Sequence, residues 1–157
     1  MKMNTKAEAV VNRLKEQGLT LATAESCTGG LIGKLLTDVP GASAVYKGGV
    51  ISYVNEIKRR LLGVEQETLD VCTAVSRETA HEMARGARER LKTDCAVSVT
   101  GLAGPDGDGT GRPVGLVYIA VDTAGFSFCK ELHLSGDRAQ IREQAADAVF
   151  QLILDTI

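Results

Sequence analysis

The sequence has no tryptophan, and its aromatic residues make up 4% of the 157 positions. It also has no excess of basic side chains, because 18 Lys and Arg stand against 20 Asp and Glu, a formal net charge of −2. Proteins that bind nucleic acid carry a basic surface, and those that bind single strands add aromatic side chains for base stacking. The composition therefore argues against nucleic acid as a partner.

Long hydrophobic runs are missing as well. No stretch approaches the roughly 20 apolar residues that a membrane-spanning helix needs. The N-terminal segment 1–18 is amphipathic with charges of both signs, and it lacks the apolar core of a signal peptide. We therefore expect a cytoplasmic protein that does not bind a membrane.

Cysteines are present, but without the spacing of a metal or redox motif. No two of them form a C-x-x-C pair, which argues against a zinc ribbon and against a redox site. We expect free thiols in a reducing compartment. The four are Cys27, Cys72, Cys95 and Cys129.

Strand-like and helix-like segments alternate along the chain. This alternation predicts one α/β domain over residues 1–157, built as a three-layer α/β/α sandwich. The last two strands follow each other across the short link 123–125, which indicates a hairpin and therefore a mixed, mostly parallel sheet. The predicted strands are 19–26, 44–54 (interrupted at Gly48 and Gly49), 94–101, 114–122 and 126–134.

Capping signals set the predicted helix ends. Side chains that accept a hydrogen bond from the first turn favour a helix start, and glycine favours a helix end. The predicted N-caps are Thr5 (in a capping box with Glu8), Asn55, Ser76 and Asp137, and the predicted C-caps are Gly18 and Gly63.

Two segments imitate familiar ligand motifs and fail. "TGGLIGKL" would need glycine at Thr28 and a hydroxyl at Leu35 to be a phosphate-binding P-loop. "DGDGTG" begins like a calcium loop, but Val117 stands where the loop needs glutamate. Metal and dinucleotide binding are therefore not indicated.

A catalytic base is not obvious, because the chain has only two histidines. His81 and His133 are both expected on the surface. Lysine can replace histidine if its pKa falls towards 7 or 8. Lys58, at the third position of the helix that Asn55 is predicted to cap, is a candidate. The helix dipole opposes its charge by less than about one pKa unit, so burial beside neutral groups such as Tyr53 must supply the rest. The alternative is an exposed helix lysine.

The segment "AESCTGG" follows the first predicted strand, where sites of open α/β sheets gather. Ser26 and Cys27 are both nucleophiles, and only one can face the site if the strand continues. Backbone N–H groups of Thr28, Gly29 and Gly30 suit an oxyanion or a phosphate at the following helix start. The alternative is a Ser or Thr helix cap beside a buried cysteine, and spacing leaves both open.

Several blocks, in order, resemble the CinA C-terminal domain family. They are "TAESCTGGLIGKLLTDVPGAS", "GGVISYVNEIKRRLLGV", "AVS" at 74–76, "SVTGLAGPDGDGTGRPVGLVYIAV" and "SGDRAQIRE". Stand-alone members of this family are nicotinamide-nucleotide amidohydrolases, which convert nicotinamide mononucleotide (NMN) to nicotinic acid mononucleotide and ammonia. The chain resembles that form, because the molybdopterin-binding-like domain of longer members is absent.

The resemblance implies a set of roles. Ser26 is the implied nucleophile, Lys58 the base and Tyr53 an orienting hydroxyl. Thr100 and Gly101 resemble the segment that closes the site, and Arg138 resembles a phosphate contact. No metal and no cofactor are implied, the partner is the small-molecule substrate, and family habit implies a homo-oligomer.

Two departures from the family pattern stand out. Asp106 and Asp108 make the glycine-rich loop acidic, which would weaken phosphate binding if the loop touches it, and Arg112 replaces a lysine. Thr73 stands where glycine is usual, and we expect this to affect only a turn. Two alternatives to NMN hydrolysis remain: a silent nucleotide-binding or regulatory module, and a hydrolase of the same mechanism acting on another amide.

Overall fold

The computed structural model describes residues 4–157, which form a five-stranded sheet between two layers of helices. The strands are β1 (Leu21–Glu25), β2 (Tyr46–Ile51), β3 (Cys95–Gly101), β4 (Leu116–Thr123) and β5 (Ser127–His133). The helices are α1 (Thr5–Gln17), α2 (Leu31–Thr37), α3 (Asn55–Leu62), α4 (Gln66–Val71), α5 (Arg77–Leu91) and α6 (Arg138–Thr156), with a 3₁₀ turn at Ala42–Ala44. The predicted three-layer sandwich is confirmed.

The strand order is β2-β1-β3-β4-β5. β1 pairs in parallel with β2 and β3, whereas β4 is antiparallel to both β3 and β5. Four of the five strands therefore run in one direction, which confirms a mixed, mostly parallel sheet. Because β1, β2 and β3 end at the same edge, the segments that follow them meet there.

Side chains of alternate strand residues divide between the two helical layers. Val97 and Val99 belong to the larger core, which lies under α1, α2 and α6. Ala22, Ala24 and Ala96 belong to a smaller core with Met83 of α5. The small side chains on this face allow α5 to lie close to the sheet.

Most of the predicted helix ends are confirmed. Gly18 ends α1 in the left-handed conformation (φ 67°). The Ser76 side chain accepts from the N–H of Thr79, and Asp137 forms a capping box with Gln140 at the start of α6.

Two predicted caps are wrong. The side chain of Asn4 caps α1 by accepting from the N–H of Ala7, so Thr5 is already the first helical residue. In α3 the N-cap is Val54, whose extended backbone (φ −107°, ψ 160°) turns the chain into the helix without a side-chain bond. Asn55 is therefore the first residue of α3, and Lys58 lies one position further along it than predicted.

Two further predictions differ from the structure. β2 continues through Gly48 and Gly49, although its register against β1 shifts just before Gly48, where Leu21 pairs with Tyr46 and the next residue pairs with Gly48. A Cβ at Gly49 would lie 2.1 Å from Thr23 Oγ1. Glycine there lets β2 pair closely with β1 and does not end the strand. The short helix α4 was not predicted, because it has no side-chain cap and buries one residue, Leu69. Across residues 4–157 no helix combines the length and apolarity needed to span a membrane.

Candidate active site

Ser26 and Lys58 meet at the carboxyl edge of the sheet. Ser26 directly follows β1, and its N–H donates to the carbonyl of Val99, which holds it in line with the strand. Lys58 lies in the middle of α3, and its Nζ is 3.0 Å from Ser26 Oγ. The hydroxyl and the amine are therefore at proton-transfer distance.

Lys58 is buried, with 1% of its surface exposed. Its Nζ also donates to the carbonyl oxygens of Ser52 (2.8 Å) and Tyr53 (3.3 Å). These partners are neutral, and burial lowers the pKa of Lys58 from 10.5 to about 8. The alternative of an exposed helix lysine is wrong.

The groups that lower this pKa are not the ones expected. The Tyr53 side chain is 57% exposed, so its ring contributes little to the burial of the amine. Tyr53 contacts Lys58 through its backbone carbonyl instead. The helix dipole also contributes less than expected, because Lys58 lies beyond the third position of α3.

Cys27 does not compete with Ser26 as a nucleophile. Its side chain belongs to the large hydrophobic core and is 7% exposed. Burial raises the pKa of the Cys27 thiol to about 11, so the reactive thiolate is nearly absent at neutral pH. The expectation that only one of the two faces the site is wrong, because β1 ends at Glu25 and both Ser26 and Cys27 line the cavity described below. Ser26 is the one whose side chain bonds to Lys58.

Glu25, which was not among the predicted site residues, organises the loop after β1. Its carboxylate is 2% exposed and accepts from the Thr28 hydroxyl (2.7 Å). It also accepts from the backbone N–H groups of Gly30, Ile32 and Gly33 at the start of α2. The chain's own carboxylate thus occupies the place where an anionic ligand would bind a helix start. The sequence contains one signal for this contact: an acidic residue a few positions before the two glycines that precede α2.

The N–H groups of the loop are only partly available. Gly29 donates to the carbonyl of Ser26 (3.0 Å) and Gly30 to Glu25, so free N–H groups at these two residues are a wrong prediction. None of Thr28, Gly29 and Gly30 lines the cavity described below. Within residues 4–157 the N–H of Thr28 donates to no acceptor, whereas that of Cys27 contacts the sulfur of its own side chain.

A cavity of about 290 Å³ opens beside the Ser26–Lys58 pair. Thr100 is buried in its wall, where its hydroxyl donates to the carbonyl of Ala74 (2.8 Å) and braces the end of β3. The cavity brings together most of the predicted site residues. The lining includes Ser26, Tyr53, Lys58, Thr100, Gly101 and Arg138, together with Asp106 and Asp108.

Tyr53 and Arg138 form a bridge at the cavity. The Arg138 guanidinium, in the first turn of α6, donates to the Tyr53 hydroxyl (2.9 Å) and to the carbonyl of Gly104 (2.7 Å). The Tyr53 hydroxyl is therefore held by Arg138 and is not bonded to Lys58. Three separate segments of the chain are joined at this point.

The glycine-rich loop supplies acidic groups to the cavity. Asp106 and Asp108 are exposed and line it. Arg112 is directed elsewhere and donates to the Thr73 hydroxyl (2.5 Å) and to the carbonyl of Cys72 (3.2 Å). Thr73 adopts the left-handed conformation (φ 71°) that glycine favours, so this departure does concern a turn. The Thr73 hydroxyl, which glycine would lack, also accepts the hydrogen bond from Arg112.

The two histidines lie away from this site. His133 is exposed, as predicted. His81 is half-buried on α5, and its Nδ1 is 2.7 Å from Ser127 Oγ on β5. Neither residue lines the cavity beside Ser26 and Lys58.

The fold and the site define an α/β sandwich protein with a buried Ser–Lys pair open to a surface cavity. The chain belongs to the CinA C-terminal domain family, whose model matches residues 3–157. The resemblance drawn from the sequence blocks is thus confirmed.

Individual relatives agree with this assignment. A CinA-like protein from Kosmotoga olearia is 50% identical over 139 residues, which are 88% of this chain and 34% of that protein. The chain spans about a third of the length of the curated relatives it matches first.

Solved structures show the same fold. A competence/damage inducible protein from Agrobacterium tumefaciens is 38% identical, with a TM-score of 0.91 and coverage of 99% of this chain and 98% of that one. A CinA superfamily protein from Escherichia coli is 30% identical, with a TM-score of 0.95 and coverage of 100% and 95%. These names describe no chemical reaction.

Proposed function

We propose that the protein is an amidohydrolase that converts NMN to nicotinic acid mononucleotide and ammonia, with Ser26 as nucleophile and Lys58 as general base. The observation that carries this proposal is the 3.0 Å approach of Lys58 Nζ to Ser26 Oγ, with the amine buried among neutral oxygens. The family assignment supports the substrate, because the stand-alone CinA-type proteins that this chain resembles hydrolyse this amide.

The lowered pKa of Lys58 makes the amine a usable base. At pH 7 a lysine of pKa 10.5 is neutral in roughly one molecule in three thousand, whereas a pKa of about 8 leaves roughly a tenth neutral. This is a gain of about two orders of magnitude in active base. A binding module has no need to bury a lysine against a serine hydroxyl.

The reaction runs through an acyl-enzyme. Neutral Lys58 takes the proton of the Ser26 hydroxyl as the oxygen attacks the carboxamide carbon, and the carbonyl oxygen becomes an oxyanion. The resulting ammonium of Lys58 then protonates the leaving nitrogen, which departs as ammonia and leaves an ester on Ser26. Lys58, neutral again, takes a proton from water as the water oxygen attacks the ester carbon. The bond between Ser26 Oγ and the acyl carbon then breaks, Lys58 returns the proton to Ser26 Oγ, and the carboxylic acid leaves.

Groups around the Ser26–Lys58 pair can stabilise the oxyanion, close the cavity and bind the phosphate. The backbone N–H of Cys27, which lines the cavity beside the nucleophile, is suited to hold the oxyanion. Thr100 and Gly101 close the cavity wall. Arg138 is exposed and donates to neutral oxygens, which a phosphate can replace with a stronger, charge-assisted bond.

The test is product formation from NMN by the purified protein, measured as ammonia and as nicotinic acid mononucleotide. We expect turnover by the wild type that EDTA does not reduce, no turnover by Ser26→Ala, and wild-type turnover by the exposed control Ser43→Ala. Tight NMN binding without turnover would instead indicate the regulatory module. Turnover of a different amide in preference to NMN would retain the mechanism and replace the substrate.

A further inference from the structure

Asn55 is the first residue of α3, and it lines the cavity together with Ser26 and Lys58. The backbone of Val54 caps this helix without a side-chain bond, so the carboxamide of Asn55 is not used as a cap. It makes no other hydrogen bond within residues 4–157. An exposed group that can both accept and donate is therefore free to bind a molecule in the cavity.

Asn55 and the amine of Lys58 border the same part of the cavity. Residues three positions apart are neighbours on one helix face, and long helical side chains run back towards the N-terminus. Lys58 follows this rule, because its Nζ donates to the carbonyls of Ser52 and Tyr53, which precede the helix. The first turn of α3 therefore presents an amine and a carboxamide to the cavity side by side.

The leaving nitrogen of the proposed reaction needs a hydrogen-bond acceptor as well as a proton donor. Lys58 can protonate this nitrogen only when the nitrogen lone pair faces the amine, so the N–H groups of the substrate must point elsewhere. A polar N–H that leaves water without finding an acceptor costs free energy. The ammonium of Lys58 cannot accept, because it has donors only. The side-chain oxygen of Asn55 can accept, and it belongs to the same helical turn.

We propose that Asn55 selects a primary amide: its Oδ1 accepts a hydrogen bond from the NH2 group of the substrate and directs the nitrogen lone pair towards Lys58. This inference rests on the proposed amidohydrolase function. A site that hydrogen-bonds an N–H of its substrate discriminates against analogues that lack it. An ester has no N–H on its leaving group. Asn55 therefore favours the amide over an ester of the same acid.

The experiment measures kcat/KM for NMN and for the methyl ester of nicotinic acid mononucleotide, which differ only in the leaving group. The variants are Asn55→Ala, which removes the oxygen, and Asn55→Asp, which keeps an acceptor and removes the donor. Asn12→Ala is the matched control, because Asn12 is an exposed asparagine on α1 that does not line the cavity. Urea unfolding of each protein reports any loss of stability.

We expect Asn55→Ala to lower kcat/KM about 5- to 50-fold for NMN and less than about twofold for the ester. The amide-to-ester ratio of kcat/KM should fall accordingly. Asn55→Asp should keep most of this ratio. Its charge raises the pKa of Lys58, but both substrates use the same base, so this effect cancels in the ratio. Asn12→Ala should match the wild type with both substrates.

Other outcomes overturn the inference. Equal losses on the amide and the ester would mean that Asn55 supports α3 or the nucleotide and not the leaving group. The same fall of the ratio in Asn55→Asp as in Asn55→Ala would make the carboxamide a donor. The wild type tests the proposed function separately. If it hydrolyses the ester but not NMN, that function and this inference both fail. NMN turnover with an unchanged ratio in Asn55→Ala refutes this inference alone.

Discussion

Lys58 Nζ lies 3.0 Å from Ser26 Oγ across 32 residues of sequence. The ends of two neighbouring strands set this distance. Ser52, one residue after β2, donates its backbone N–H to the carbonyl of Glu25 at 2.7 Å, so β1 and β2 stay paired up to the site. The carbonyl of Ser52 then accepts from Lys58 itself. The amine is therefore held by the same residue, Ser52, that holds the two strands together.

Exchange of the nucleophile should abolish the reaction. We expect Ser26→Ala to lower kcat at least about a thousandfold while the protein unfolds at nearly the same urea concentration, because the hydroxyl borders a cavity. Cys27→Ala is the matched control. It should keep most of the turnover, because the thiol lies in the core and stays protonated. A loss in Cys27→Ala equal to that in Ser26→Ala would reverse the assignment.

The dependence of kcat/KM on pH should follow the protonation of Lys58. Because the base acts in its neutral form, kcat/KM should rise with pH and level off above about 8, the pKa to which burial lowers Lys58. Lys58→Arg should be inactive at every pH, because a guanidinium stays protonated. Wild-type turnover in that variant, or a profile that falls through pH 8, would rule out the proposed base.

The same residue should make stability depend on pH. In the folded protein the pKa of Lys58 is about 8, below its ordinary value of 10.5, so between these pH values the unfolded chain binds more protons. Stability must therefore rise with pH across this window. Relative to Lys58→Met, the free energy of unfolding of the wild type should increase by about 3 kcal/mol from pH 8 to pH 10.5.

Urea titrations of both proteins at matched pH values measure this difference. Cysteines and tyrosines that titrate in the same range are common to both proteins, and they cancel in the comparison. Methionine cannot donate hydrogen bonds to the carbonyls of Ser52 and Tyr53. This loss shifts the difference in unfolding free energy between the two proteins by a constant amount and does not change its dependence on pH. A difference that stays constant with pH would mean that Lys58 remains charged in the folded protein.

The acidic loop should weaken the binding of an anionic substrate. Asp108 lines the cavity to which Arg138 also contributes, so its charge opposes that of a phosphate. We expect Asp108→Asn to lower KM for NMN about two- to fivefold at low salt, with less effect at high salt. The control is Asp155→Asn, which removes an exposed carboxylate on α6 that does not line the cavity. It should leave KM unchanged. A higher KM in Asp108→Asn would show that the acid assists binding.

Gly86 should be sensitive to a single added methyl group. It lies in α5 where that helix crosses the end of α3, and a Cβ there would stand 1.8 Å from the carbonyl oxygen of Leu62. Gly86→Ala should lower the free energy of unfolding by about 1–3 kcal/mol, although alanine favours helix. Gly125→Ala, at a position with no atom within 4 Å of the added carbon, should change it by less than about 0.5 kcal/mol.

Much of this arrangement could be predicted because it depends on local signals. Segment 94–101 was predicted as a strand and forms β3, and Ser76 and Asp137 indicated helix starts. Ser26 and Lys58 could be nominated from their residue types, but periodicity could not decide whether the lysine was buried. The resemblance to a family supplied that part of the prediction.

The remaining features depend on contacts between distant segments. Glu25 caps α2 through three N–H groups and a hydroxyl, and no local pattern shows that a strand-end carboxylate folds back onto the next helix. The Asn55 cap failed because the backbone of Val54 alone turns the chain. Arg142 on α6 donates to two carbonyls of the loop after β1, more than 110 positions away, and spacing along the sequence cannot reveal this contact.

Because β4 is antiparallel to β3, the segment that joins them forms a part of the cavity wall that can vary in sequence. β3 runs towards the site and β4 runs back from it, so segment 102–115 begins and ends at the same edge of the sheet. The nucleophile and the base belong to other connections. Residues can therefore be inserted into or exchanged within this segment without moving Ser26 or Lys58. The segment is therefore a natural target for redesign of the cavity.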